Sequence, residues 1–264
     1  MKKIDRETFP FYRFDRLAAC REINHFVSSG VKDISFLGNE EPVRVVANRR
    51  ELGENAGFEL DRLVVGNQVH GADITVVTTE DAGRGAYDNE SRLPDTDALV
   101  TDEAGVCLMV LTADCVPVLL YDPKCGAIAA IHAGWKGTAA DIVGKTVNLL
   151  RQRYGSEPCN ILAGIGPAIG KCCFEVGEEV ASVFQGRYPE QVEAGKNPGK
   201  FQVDLGAINY LELLQAGLDA ENIEQADICT RCHPHDFFSY RYAGGAAGRF
   251  GTGILLREKC ESKK

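Results

Sequence analysis

Residues 115–132 read CVPVLLYDPKCGAIAAIH. Two apolar runs of strand length flank Asp122-Pro123-Lys124-Cys125, and Gly126 follows. Asp at the first and Pro at the second position suit a type I turn. The pattern predicts an antiparallel hairpin folded between Pro123 and Lys124, and that centre sets Cys115 directly opposite His132. Cross-strand neighbours lie about 4.5–5.5 Å apart. A thiol and an imidazole therefore meet at the open end of the hairpin, with TAD before the cysteine and AGWKG after the histidine. Strand ends of this kind combine rigid support with access to solvent. The bland alternative is that both fill the rim of a core, and a one-residue slip of register would put them on opposite faces.

Strand and helix patterns alternate outward from this hairpin. Asn39 can cap a helix with Glu40, Glu41 and Pro42 in its first turn, running to about Asn55 and stopping near Gly57. Leu63–Val65 and Ile74–Thr78 are β-rich runs on either side of NQVHG, and residues 105–111 form a further apolar run. Thr138–Tyr154 has helical spacing, as do Val176–Phe184 and Asp204–Ala216. Asn160–Gly164 and Gly253–Arg257 read as strands, and another strand is expected to begin at Ile228. Gly186–Gly199 reads as a long surface loop. The fold class expected is α/β (α+β) with largely buried, mixed sheets. Residues 1–264 are read as one catalytic domain with a polar tail from about 258.

The formal net charge is −9, which argues against a nucleic-acid partner, because such binding depends on neutralising phosphates. Lys2 and Lys3 are followed by no apolar run, and no stretch has the length of a membrane span. The expected location is the cytoplasm. The ten cysteines then read as free thiols, small buried hydrophobes or metal ligands rather than a disulfide framework.

His70, in the turn-like Asn67–Gly71 segment, is the natural third member of the constellation. Two His and one Cys make a three-ligand zinc site with one position open to water or substrate. Zinc would hold Cys115 as thiolate and lower the pKa of bound water. Without metal, His132 or His70 could activate Cys115 as a nucleophile. Asp114 is expected to point to the other face of an extended strand, as a support for the site at most.

Five motifs now stand in order: NQVHG, TADC with VPVLLYD, IHAGWKGT, GPAIGKCCFEVG and FFSYR…GR. Together they resemble the YfiH or laccase-domain-containing family, over about Asn39 to Leu256. Members have been described as polyphenol oxidases and as purine nucleoside phosphorylases. The resemblance implies a layered α/β-β/α domain and a zinc site at His70, Cys115 and His132, zinc being favoured over copper. It also implies phosphorolysis of adenosine, inosine and methylthioadenosine, with adenosine deamination as a further activity. Two alternatives remain open: a cysteine or zinc hydrolase that edits peptidoglycan precursors, and a non-catalytic zinc-binding protein. Arg49, Gln68, Lys136, Arg241 and Arg249 are the candidates for contacting substrate or phosphate. The tail departs from the family pattern. Two arginines usually follow FFSY, whereas here Arg241 is followed by Tyr242 and Ala243 and a Gly/Ala stretch before Gly248-Arg249.

Other signals carry less. Cys229-Thr230-Arg231-Cys232-His233 has the haem-attachment spacing, but covalent haem attachment normally follows export. His233-Pro234-His235 suits copper oxidases, which need many more than five histidines. Gly164–Lys171 is glycine-rich but has neither phosphate-loop spacing. Trp135 and Phe238 could stack on a base, core packing being the simpler account. Cys172 and Cys173 could join Cys229 and Cys232 in a four-cysteine site, but adjacent cysteines do not easily chelate one ion, and buried thiols are the default.

Overall fold

Val116–Asp122 and Ala127–Ala133 pair antiparallel in a computed structural model that describes residues 1–6, 8–38 and 40–258. The turn is Pro123–Gly126. Asp122 Oδ1 accepts from the N–H groups of Lys124 (2.8 Å) and Cys125 (3.2 Å). Gly126 takes a φ of 69° and donates to the Asp122 carbonyl. This longer loop moves the register by one residue along each strand, so Pro117, not Cys115, faces His132. A shift shared by both strands preserves the alternation of faces. Cys115 and His132 therefore remain on one face as diagonal neighbours.

Two six-stranded sheets organise the chain. The first has the spatial order Lys2–Ile4, Phe11–Arg13, Ile23–Ser28, Phe250–Leu256, Cys107–Thr112, Leu63–Val65. The second runs Ile223–Gln225, Leu162–Ile165, Val116–Asp122, Ala127–Ala133, Ala98–Thr101, Ile74–Val76. Strand alternation divides the apolar residues into layers. Leu108 and Val110 of the first sheet pack against Leu119, Tyr121, Ile128 and Ala130 of the second. Cys107, Met109 and Leu111 turn the other way, onto Leu52 and Ala56 of the Pro42–Ala56 helix. Val116, Val118 and Ile131 meet Ile142, Val147 and Leu150 of the Ile142–Tyr154 helix and Ile208 of the Leu205–Gln215 helix. The result is helix, sheet, sheet, helices: the layered α/β-β/α architecture with mixed sheets.

Several boundaries differ from expectation. The Thr138–Tyr154 helix is two, Trp135–Ala139 and Ile142–Tyr154. Asp141 breaks it by adopting a left-handed φ of 58° and accepting the Gly144 N–H on its carboxylate, a conformation that short polar side chains tolerate. The strand expected from Ile228 is instead Ile223–Gln225, parallel to Leu162–Ile165. Asp227 then takes a φ of 53°, and Cys229 keeps an isolated bridge to Ala168. The Gly186–Gly199 stretch contains a strand, Val192–Ala194, in a small sheet with Phe201–Val203 and Glu175–Val176. The Pro42–Ala56 helix stops as expected at Gly57, whose φ is 84°. Asn39, and the polar tail beyond 258, lie outside the described residues.

The corner between the sheets matters most. Cys107–Thr112 belongs to the first sheet and Val116–Asp122 to the second, so Ala113-Asp114-Cys115 carries the chain across.

Candidate functional site

His132 shares its strand face with Ile128 and Ala130, so it emerges at the rim of the layer between the sheets. Cys115 enters from the corner, and His70 hangs from the loop after Leu63–Val65 of the first sheet. One ligand atom from each of the three lies within 4.8 Å of the others. The two imidazoles meet edge to face, with centroids 4.9 Å apart. His70 has a φ of 61° and Asp114 one of 95°. Such backbone conformations cost free energy in non-glycine residues and persist where surroundings enforce them.

At His70 the enforcement comes from Asp97. Its carboxylate accepts from the N–H groups of Val69 (3.3 Å), His70 (3.1 Å) and Gly71 (2.7 Å). Its Oδ1 also lies 2.7 Å from His132 Nδ1. That contact leaves His132 Nε2 for Cys115 and fixes the ring. Burial alone would raise the Asp97 pKa, but His132 and the backbone donors hold it below the ordinary carboxylate value. Burial would likewise raise the Cys115 thiol; the charge of His132 and hydrogen bonds from both histidines bring it down to about 6. Burial works against protonating His132, yet the Cys115 thiolate and Asp97 raise it to about 9.

At Asp114 the corner is tied by three bonds. Its carbonyl accepts from Ile169 N–H (2.8 Å). Its carboxylate accepts from Thr230 Oγ1 (2.6 Å) and Arg241 N–H (2.7 Å). Asp114 is therefore not in the extended conformation expected, and its side chain anchors the tail.

The centre opens into a cavity of about 430 Å³, within the range of small-molecule sites. Gln68, Arg241 and Arg249 line it, together with Phe174 and Tyr240. Gln68 bridges to the sheet, exchanging hydrogen bonds with both backbone groups of Leu111 (2.7 and 2.8 Å). The other two candidates lie elsewhere. Arg49 is fully buried under the Phe36 ring, bonded to the carbonyls of Ile34, Gly85 and Ala86. Lys136 is exposed and lies over the Trp135 ring. Trp135 and Phe238 pack against the cores and do not line this cavity. Asp97 and Arg92 escaped the sequence reading. Arg92 lines the cavity although only 6% exposed. An Asp immediately before a strand and an Arg in a loop carry no pattern that sets them apart.

The donor set suits a metal. Gly134 supplies a second sign: a Cβ there would stand 2.9 Å from His70 and 3.3 Å from Cys115 Sγ. A glycine is thus required for the three donors to converge.

Fold and triad together define a layered α/β protein with a His-Cys-His centre at the junction of its two sheets. The chain belongs to the multi-copper polyphenol oxidoreductase laccase family, whose model matches residues 29–257, in accord with the YfiH resemblance of its motifs. It is 42% identical over 218 residues to the purine nucleoside phosphorylase YlmD of Geobacillus stearothermophilus, covering 81% of this chain and 80% of that one. It is 37% identical to the adenosine deaminase RL5 of an unknown prokaryotic organism, over 87% and 88% of the two chains. The crystal structure of the hypothetical protein YfiH of Bacillus licheniformis superposes with a TM-score of 0.89 at 28% identity, over 96% and 98% of the chains. Of the five histidines, His70 and His132 meet in the site, while His25 accepts the Phe14 N–H in the core and His233 contacts the Cys229 carbonyl. Among the described residues no helix is long and apolar enough to cross a membrane.

Proposed function

We propose that this protein is a zinc-dependent purine nucleoside phosphorylase acting on adenosine, inosine and methylthioadenosine, with adenosine deamination as a second activity. One observation carries the reading. Arg92 lines the cavity that holds the triad, and its buried Nε and Nη2 have no hydrogen-bond partner among the described residues. A desolvated, unsatisfied guanidinium is costly, and a phosphate oxyanion is its natural complement. The names of the relatives supply the purine nucleoside.

Phosphorolysis breaks the bond between C1′ and the base. A phosphate oxygen bonds to C1′, and the bond pair leaves with the base, which takes up a proton. Arg92 holds the phosphate, and Arg241 and Arg249 extend the positive rim. Phe174 and Tyr240 offer apolar surface to base and sugar. His70, Cys115 and His132 would hold the zinc, which would supply Lewis-acid polarisation of an oxygen nucleophile. Asp97 keeps His132 in the ligating tautomer. Residues 1–264 act as one catalytic unit on small molecules in the cytoplasm.

Base release from adenosine and inosine, followed with and without phosphate, tests the reading. Release should require phosphate, and should be lost on chelation and in Cys115→Ala. Arg92→Ala should raise KM for phosphate roughly 10- to 100-fold, since a charge-assisted hydrogen bond contributes about 1.5–3 kcal/mol. Release that ignores phosphate refutes phosphorolysis. The lowered Cys115 thiol beside His132 also favours a second reading, a cysteine hydrolase of peptidoglycan precursors, which would keep its turnover after complete metal removal.

A further inference from the structure

Outside the cavity site, the two cysteine-bearing loops meet. Cys172 and Cys173 lie in the turn after Gly170, and Cys229 and Cys232 in the turn whose Cys232 and His233 N–H groups both donate to the Cys229 carbonyl. All four Sγ atoms lie within 4.8 Å of one another. Cys172 to Cys173 is 3.7 Å, Cys172 to Cys232 is 3.8 Å and Cys173 to Cys232 is 3.5 Å. A disulfide would need about 2.05 Å. A tetrahedral ion with metal–sulfur bonds of about 2.3 Å sets its sulfurs about 3.8 Å apart. The turn directs the adjacent Cys172 and Cys173 to one side, which removes the objection that neighbours cannot share an ion.

Two of the four sulfurs face hydrogen-bond donors. Gly170 N–H points at Cys229 Sγ (3.3 Å), and Arg231 Nη1 lies 3.5 Å from Cys173 Sγ. A Cβ on Gly170 would sit 3.2 Å from Cys229 Cβ and 3.4 Å from Cys172 Sγ, so the glycine lets the loops close. Four thiolates around a divalent ion leave two negative charges, which Arg231 offsets in part.

We propose that Cys172, Cys173, Cys229 and Cys232 form a second, structural metal centre that takes a soft tetrahedral divalent ion of the zinc class. Four protein sulfurs leave no open position, so this centre is closed to substrate. Its work is to clamp two loops. Ala168 and Thr230, one from each loop, share a backbone hydrogen bond of 2.9 Å, and Ile169 and Thr230 both bind Asp114 at the corner that delivers Cys115. The inference stands whether or not nucleosides are the substrate.

Metal analysis of the full-length protein, purified under reducing conditions, tests it. The wild type should carry two equivalents of zinc. Cys229→Ser/Cys232→Ser and Cys115→Ala should each carry one. With cobalt substituted, the strong thiolate charge-transfer band should fall to the share of the single Cys115 thiolate in Cys229→Ser/Cys232→Ser and largely persist in His70→Ala/His132→Ala. The wild type offers a check that no variant's folding can confuse. Peptide mapping after alkylation should find the four cysteines protected until a chelator strips the ion, although Cys172 and Cys232 are exposed. Equal metal content in wild type and a folded double variant, prompt alkylation of all four in the metal-loaded protein, or a native disulfide among them would overturn the proposal.

Discussion

Asp97 serves four donors with one carboxylate, joining the His70 loop to His132. Asp97→Asn keeps the shape but turns one acceptor into a donor. It should weaken zinc binding at the triad about 10- to 100-fold, as loss of such supporting partners does elsewhere. Competition against a chromophoric chelator measures this, and an unchanged affinity would show that the carboxylate is dispensable. His70, Cys115 and His132 were legible because each stands at the edge of a patterned run, next to glycine or a turn. Asp97 was not, because its role depends on a loop 26 residues upstream and a strand 35 residues downstream. Arg49 shows the converse: its type suggested phosphate, but three buried carbonyls claim it.

At the scale of elements, the hairpin was read correctly in kind, and its register missed by one residue per strand. Turn chemistry named the bend, but the two extra loop residues depended on Gly126 adopting its positive φ. The break at Asp141 was hidden because the apolar spacing continues across it. The Leu205–Gln215 helix carries a buried acid, Glu212, whose Oε1 accepts from Tyr188 Oη and lies 3.7 Å from Arg187. Burial first, then the charge of Asp141, raises its pKa from 4.5 to about 8. The folded state therefore keeps this proton up to about pH 8, while the unfolded state releases it near 4.5. Between those values the unfolded state binds fewer protons, so Glu212 makes stability fall as pH rises. Glu212→Gln should flatten the decline of Tm between pH 5 and 8, and parallel profiles for wild type and variant would count against a raised pKa.

For the whole molecule, alternating patterns gave mixed, buried sheets, but not the partition of strands between them. That partition is decided by long-range pairing, such as Phe250–Leu256 entering between Ile23–Ser28 and Cys107–Thr112. The layer between the sheets supports the triad from below. Leu119, fully buried there, tests its contribution. Leu119→Ala should cost about 2–5 kcal/mol, read from denaturant unfolding of the metal-free protein. A loss under 1 kcal/mol would mean that the two sheets close over the gap.

The corner at Ala113–Cys115 has a consequence in time. One imidazole hangs from the passage between Leu63–Val65 of the first sheet and Ile74–Val76 of the second, the other stands on the second sheet, and the thiol lies in a further passage between the two. No early fragment of the chain holds all three in place, and pairings this far apart in sequence form slowly. Capture of the proposed zinc by the triad should therefore come late on the folding route, after both sheets have docked.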